Sequence, residues 1–511
     1  MKVYSISAAI VALTAAGVVG CGSSDSGAMT GDGDSGIAGD TGAQVHRDGS
    51  SASDGSGGGG GADGSGGGAD GSGSGADGSG GGGGGGGTDA GTLDDGSSTD
   101  ASNNDGGVFP FPAFPVDTAT VMNNGGAVQA LPKIVTITWS DDVAADVARY
   151  EAFGDSIGAS NYWHAINSEY GVGRAVGGTH IHIPGPAPAA ITDQQLDDLV
   201  SKNAGVTAGW PAPTPNTLYA VYMSPTTTSF MLGGSEACGS GVGGYHTETT
   251  QGDAGLSAAD GIVYAIMPHC GMFKADDLIV SASHEFDEAV TDPLPDFKQA
   301  YARFDANHLS FELWNSFQDE VGDACESYGS SYFLSSEPAF AYPVQRQWSN
   351  AAAIAGHNAC VPAADEGPYF NVTVFPADED TINANLTPLD PMAPAAVPTK
   401  GYKVVLNTPR TFDVGYFSDA DTGGPWTLTA TVAPNLPVTD ANGANIANGA
   451  ATVTIDKPTG QNGDKAKITV TATSMSSTGV LFLLLTSVGT APANDAGPTP
   501  KHYMPILIGT K

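Results

Sequence analysis

The sequence predicts an α+β domain over residues 108–365 and an all-β, Ig-like sandwich over residues 366–511. A disordered Gly/Ser/Asp-rich linker, 22–107, and a signal segment, 1–21, precede them. Three observations lead there. Strand and helix periodicities alternate from Leu131 to Met223, short Thr/Val/Ile runs broken by Gly, Asn, Asp and Pro fill the chain after Pro368, and residues 22–107 hold almost no apolar side chain.

At the start, Lys2 precedes an apolar run from Ile6 to Val19 that is too short and too rich in Ala and Gly for a membrane span. Val18-Val19-Gly20-Cys21 resembles a bacterial lipobox, which makes Cys21 the lipidated residue after cleavage. The alternative is an ordinary secretory signal cut near the same place. Either way the protein leaves the cytoplasm; the expected location is the bacterial cell envelope, surface-exposed or secreted, and lipidated Cys21 makes the membrane a partner through its anchor.

The linker cannot bury a core, because it is nearly all Gly, Ser, Ala and Asp in imperfect Gly-Ala-Asp-Gly-Ser-Gly repeats. A Gly-rich coil of this length spans roughly 50 Å, and its aspartates extend it further. Its glycines lack the GK[ST] ending of a phosphate loop. The formal net charge is −37, of which the linker supplies about a third. Such acidity argues against nucleic acid as a partner.

In the first domain, Leu131–Trp139 reads as a buried strand, Tyr150–Tyr170 as helical, Thr179–Ile183 as an alternating strand, Thr192–Lys202 as a helix and Leu218–Met223 as a strand. His180 and His182 share one face of their strand. They have no carboxylate or cysteine close in sequence, which favours a structural or surface role over metal binding.

Ser283-His284-Glu285-Phe286-Asp287-Glu288 is one substitution away from the HExxH zinc-protease helix. Leu278, Ala282, Phe286 and Ala289 recur at helical spacing, Asp276 or Asp277 can cap the start, and Pro293 ends the helix by forcing Asp292 out of the α region. His284 and Glu288, four residues apart, share a face and can ligate one cation, with Glu285 beside them as general base. This helix gives the domain a zincin-like expectation. A metzincin would place its third ligand at Leu294, which excludes that variant; Glu320 and Asp323 are the better candidates. Zn2+ is the expected cofactor. The carboxylate in place of the second histidine also suits Ca2+ or Mn2+, and a hydrogen-bonded polar network without metal is the competing structure.

Tyr264–Cys270, His284-Glu285 through Thr291-Asp292-Pro293, and Glu320–Cys325 together resemble the EXORDIUM-like, phosphate-induced protein family of plants and its secreted bacterial relatives. Cys238 followed by Gly244-Tyr245-His246, and the run Tyr342–Asn350, extend the resemblance to about half of the chain. It implies an extracellular domain of zincin-like appearance and no settled reaction. His246 then stands as a candidate either to bind the metal or to orient a ligand, and Asp292 as a candidate to orient one. The chain departs from the plant pattern at Asp287 and Asp292, and the added negative charge favours a cation.

With Cys21 lipidated, Cys238, Cys270, Cys325 and Cys360 form an even set suited to an oxidising compartment. Of three possible pairings we favour Cys238 with Cys270 and Cys325 with Cys360, each closing a loop of roughly 35 residues worth about 3.7 kcal/mol. In the last region Tyr402–Leu406, Trp426–Val432, Ala451–Ile455, Lys467–Ala472 and Val480–Thr486 are spaced as in a sandwich. Asp419-Ala420-Asp421 lacks the EF-hand spacing and reads as an acidic turn.

Two functions follow as expectations. One is a surface-anchored lipoprotein with a metal-dependent peptidase or amidase activity. The other is a non-catalytic binding or adhesion protein whose sandwich contacts wall polysaccharide. An enzyme requires an open cleft over His284 and Glu285, whereas a structural cluster is closed.

Overall fold

The structure is a computed structural model that describes residues 109–238, 242–249, 261–271, 273–317, 320–326, 328, 330–363, 367–490 and 499–510. The expected signal segment, Cys21 and the linker lie outside the described residues, as do positions 364–366 at the expected boundary.

Five strands build the sheet that positions the site: β1 Lys133–Trp139, β2 Val176–Ile183, β3 Thr217–Tyr222, β4 Tyr245–Glu248 and β5 Val263–Met267. Their spatial order is β2-β1-β3-β5-β4. Neighbours are parallel except β4, which closes one edge antiparallel to β5. Parallel strands need crossovers that cover both faces, so the central strands should be apolar throughout rather than alternating. Thr217–Tyr222 and Val263–Met267 are indeed buried at every position.

The crossovers include α1 Ala144–Ile157, α2 Asn161–Asn167 and α3 Asp193–Asn203. The helical stretch expected over Tyr150–Tyr170 divides between α1 and α2, where Ser160 turns extended and its hydroxyl caps α2 by accepting from the Trp163 amide at 3.0 Å. One sheet face packs Ile134, Leu218, Tyr222 and Ala265 against Phe153 of α1 and against α4 Ala275–Thr291. The opposite face packs Val135, Ile137, Tyr219 and Ile266 against Leu196 and Val200 of α3. Helices and strands therefore interleave in layers.

On α4, Leu278, Ile279, Phe286 and Val290 are essentially inaccessible. Burying these four contributes about 8 kcal/mol by area, an upper bound. At its start Asp277 Oδ2 accepts from the Lys274 amide at 2.7 Å, so the aspartate acts from the third helical position and not as the cap itself. At its end Asp292 leaves the helical region with φ −139° and ψ 67°, and Pro293 follows.

The later chain forms two sheets compatible with a sandwich. The strands are β6 Phe370–Val374, β7 Asp380–Ala384, β8 Val397–Val404, β9 Arg410–Ser418, β10 Trp426–Thr431, β11 Ala450–Ile455, β12 Thr459–Gly460, β13 Lys465–Ser474, β14 Val480–Val488 and β15 Lys501–Thr510. They are ordered β6-β9-β13-β11 and β7-β8-β15-β14-β10-β12. Both sheets feed one buried cluster, with Val372, Phe412, Tyr416 and Ile468 from the first and Tyr402, Leu483 and Ile506 from the second. Phe304, Phe311, Val321, Cys325 and Trp348 belong to the same cluster, so the apolar core runs on from the sandwich to the segment that carries Asp323. Asp419 Oδ1 accepts from the Tyr369 amide and Asp421 Oδ1 from the Gly423 amide, as befits a turn.

Candidate metal centre

Helix α4 lies beside β4 and β5, and its Glu285 and Glu288 face His246 of the edge strand. His284, Glu285 and Glu288 come from α4, His246 from β4, Glu320 from a bridge to Ala302, and Asp323 from the first turn of α5 Asp323–Glu326. Glu288 Oε2 is the meeting point, 3.1 Å from His284 Nε2 and 3.6 Å from His246 Nδ1. Asp323 Oδ1 stands 3.5 Å from His284 Nε2, while Glu285 Oε2 and Glu320 Oε2 stand 3.7 and 3.8 Å from His246 Nδ1. Ligand atoms around one zinc ion sit roughly 3.3–3.5 Å apart, given bonds of about 2.0–2.1 Å in a tetrahedron. Two triads meet the spacing for an ion, His246/Glu285/Glu288 and His284/Glu288/Asp323, and they share Glu288.

The tautomers also fit. His246 Nε2 donates to the Asp292 carbonyl oxygen at 3.2 Å, which leaves Nδ1 bare toward the acids. Gln345 Nε2 donates to the Gly322 carbonyl at 2.8 Å, so its Oε1 accepts from His284 Nδ1 at 3.2 Å and leaves His284 Nε2 bare. Metal-ligating imidazoles are oriented in this way through their far nitrogen. Two glycines make the room. A Cβ at Gly244 would stand 2.4 Å from Glu285 Oε1, and one at Gly322 would stand 2.7 Å from Glu288 Oε1 and 2.8 Å from His284 Nδ1.

Burial makes this collection of charge costly on its own. It pushes Glu285 up and Glu320 well up from the usual carboxylate range. Burial would also lower both histidines, but Glu288 and its neighbouring carboxylates hold His284 well above the ordinary imidazole value, and Glu320, Glu285 and Glu288 do the same for His246. Glu288 is held low, because the two imidazoles outweigh its desolvation. A divalent cation would take over the charge that these protons supply.

Access is narrow. The side chains of His246, Glu285 and Glu288 are 4–5 % exposed, against 14 % for His284, 18 % for Glu320 and 20 % for Asp323. The open side of the centre is therefore lined by His284, Glu320 and Asp323, with Glu285 beneath Gly244.

The structure brings His284, Glu285, Glu288, Glu320 and Asp323 together with His246, and puts Asp292 behind His246 with its Oδ1 accepting from the Ala300 amide at 2.6 Å. Burial raises the Asp292 carboxyl to about 6. Asp287 points elsewhere: it is wholly buried, both oxygens lack hydrogen bonds, and burial drives it toward the protonated form. Gln345, Gly244 and Gly322 had no assigned role in the sequence reading, although Gln345 lies in the run Tyr342–Asn350 singled out there. Two disulfides, Cys238–Cys270 and Cys325–Cys360, join the cysteines. The second is two residues from Asp323.

No known family matches the chain, nor does any curated protein or solved structure.

Proposed function

We infer that the chain is an exported metal-binding protein of the cell envelope in which a divalent cation, zinc first, orders the loops around α4 and β4 and turns over no substrate. His284, Glu288 and Asp323 would hold the ion, with His246 closing the sealed side and Glu320 at the mouth. The low exposure of Glu285 carries this reading: a general base must meet a water and a substrate carbonyl, and this carboxylate lies under the Gly244 backbone. The lipobox-like start, the cysteine pairs and the resemblance to EXORDIUM-like secreted proteins support export, and the sandwich would contact a wall polymer.

A second reading is favoured by the HExxE spacing and by the mouth at His284, Glu320 and Asp323. In it the site is a metal-dependent peptidase or amidase. The metal would supply Lewis-acid polarisation of a carbonyl, and Glu285 would take the proton from the attacking water and pass it to the leaving amine.

Purified protein assayed on a peptide library, with Glu285→Gln as the control, separates the two. No Glu285-dependent cleavage, together with a melting temperature that rises on zinc addition after chelation, is the expected result. Cleavage lost in Glu285→Gln with metal retained would replace the first reading by the second.

A further inference from the structure

The two triads at the buried centre divide the histidines between them. His284 belongs to one and His246 to the other, and among the described residues no group that meets the spacing for an ion holds both. One ion can therefore engage one imidazole only. An ion on His284, Glu288 and Asp323 leaves His246 with Nδ1 bare in a sealed space, its side chain 4 % exposed. Around that nitrogen stand three carboxylate oxygens at nearly one distance: Glu288 Oε2 at 3.6 Å, Glu285 Oε2 at 3.7 Å and Glu320 Oε2 at 3.8 Å. Each gap is too long for a hydrogen bond, which closes to about 2.7–3.2 Å. Such gaps suit ligands that share an ion, since three donors spread evenly about a metal at about 2.1 Å stand roughly 3.6 Å apart. The bond from His246 Nε2 to the Asp292 carbonyl oxygen holds the ring in that direction.

Charge points the same way. Glu285, Glu288, Glu320, Asp323 and the wholly buried Asp292, whose Oδ2 has no hydrogen bond, bring five carboxylates to two imidazoles. One divalent ion offsets two of those charges, and in a sealed site the rest call for protons or a second cation. Glu288 is placed to serve both ions. Its Oε2 faces both imidazoles, while its Oε1 accepts from the Asp323 amide at 3.1 Å. One oxygen bridging two ions at about 2.1 Å each, with a trigonal angle, sets them about 3.6 Å apart, within the roughly 3.5–4 Å of two-metal sites.

We propose that the centre takes two divalent ions bridged by Glu288: one at the mouth on His284, Glu288 and Asp323, and a second, sealed one on His246, Glu285 and Glu288, with Glu320 beside His246. The second ion rests on the reading that α4 holds a cation at all. One imidazole with two carboxylates suits Zn2+ or Mn2+ over Ca2+, which takes an oxygen shell. Glu285 is then a ligand and not a base, in keeping with its place beneath Gly244. The sealed ion ties the edge strand β4 to α4.

Zinc per chain decides it. Tag-free protein is expressed with Zn2+ in the medium, desalted and counted by native mass spectrometry for wild type and His246→Ala. Wild type should carry two zinc ions and His246→Ala one. A wild type with one ion overturns the proposal and leaves the single-ion reading standing, whereas a wild type with none overturns both. Two ions in wild type and in a folded His246→Ala also overturn it, because the second then lies elsewhere. X-ray absorption at the zinc edge of the wild type needs no variant to fold. It should find each zinc with a metal neighbour at about 3.5–4 Å, and two zinc ions without that neighbour contradict a shared Glu288.

Discussion

The two histidine–carboxylate clusters at opposite edges of the sheet share one plan and differ in their surroundings. In each, two imidazoles have a far nitrogen held from behind and a near nitrogen facing a carboxylate, Glu288 for His246 and His284 in one and Glu151 for His180 and His182 in the other. At the β2 edge water reaches the histidines. At the β4 edge Glu288 and His246 are sealed, and three further acids crowd them. The same donor set is thus a nearly neutral matter for stability on the surface and a charge-balance problem inside, where an ion or several protons must be present.

Substitution of the central carboxylate sharpens this contrast most. Glu288→Ala removes the anion between two buried imidazoles and should cost about 3–5 kcal/mol, whereas Glu151→Ala should cost about 1 kcal/mol or less. Denaturant unfolding of both variants checks it, and equal costs would break the comparison. Next in size is the cross-link beside the buried centre. Cys325→Ser with Cys360→Ser should lower stability by about 3.7 kcal/mol and weaken metal retention there.

Smaller again is Gly322→Ala. Its Cβ would press on Glu288 and His284 and should cost about 1–3 kcal/mol, with metal binding at the buried centre reduced. Calorimetry with and without zinc reads both effects.

The pH response is the mildest probe. In chelated protein Glu285, Glu320, His246 and His284 all have folded values raised above their unfolded ones, so the folded state holds extra protons. Their contribution is complete below about pH 4.5 for the glutamates and 6.5 for the histidines and is lost as pH rises through the folded values. Glu288, held low, acts oppositely and loses its contribution only in acid. Melting temperature without metal should therefore fall from pH 6 to 9, and zinc should flatten that slope. A flat profile without metal would count against the charge-balance argument.

Much of the buried centre was legible locally. The His284/Glu285/Glu288 face and the stop at Pro293 follow from helical spacing and proline geometry over a dozen residues, and the Glu320–Asp323 string could be matched to them by chemistry. His246 was visible only through a resemblance, because its approach depends on β4 pairing antiparallel with β5 across a long connection. The carboxylates beside His180 and His182 were out of sight for a similar reason. Glu151 and Asp155 lie 25–31 positions before the histidines, and only the strand–helix–strand crossover brings them over His180 and His182. In the sandwich, the apolar run of β14 was plain, whereas β15 was passed over although its residues 501–509 pair with β14. Pairing between distant strands has no signature within either strand alone.

Metal content by mass spectrometry of wild-type and His284→Ala protein, purified without added metal, tests the central claim most directly. Stoichiometric divalent metal in the wild type, with the buried-centre equivalent lost in His284→Ala, is the predicted result. A wild type free of metal, or a metal content that His284→Ala leaves unchanged, would contradict a cation centre on α4 and return the cluster to a proton-balanced polar network.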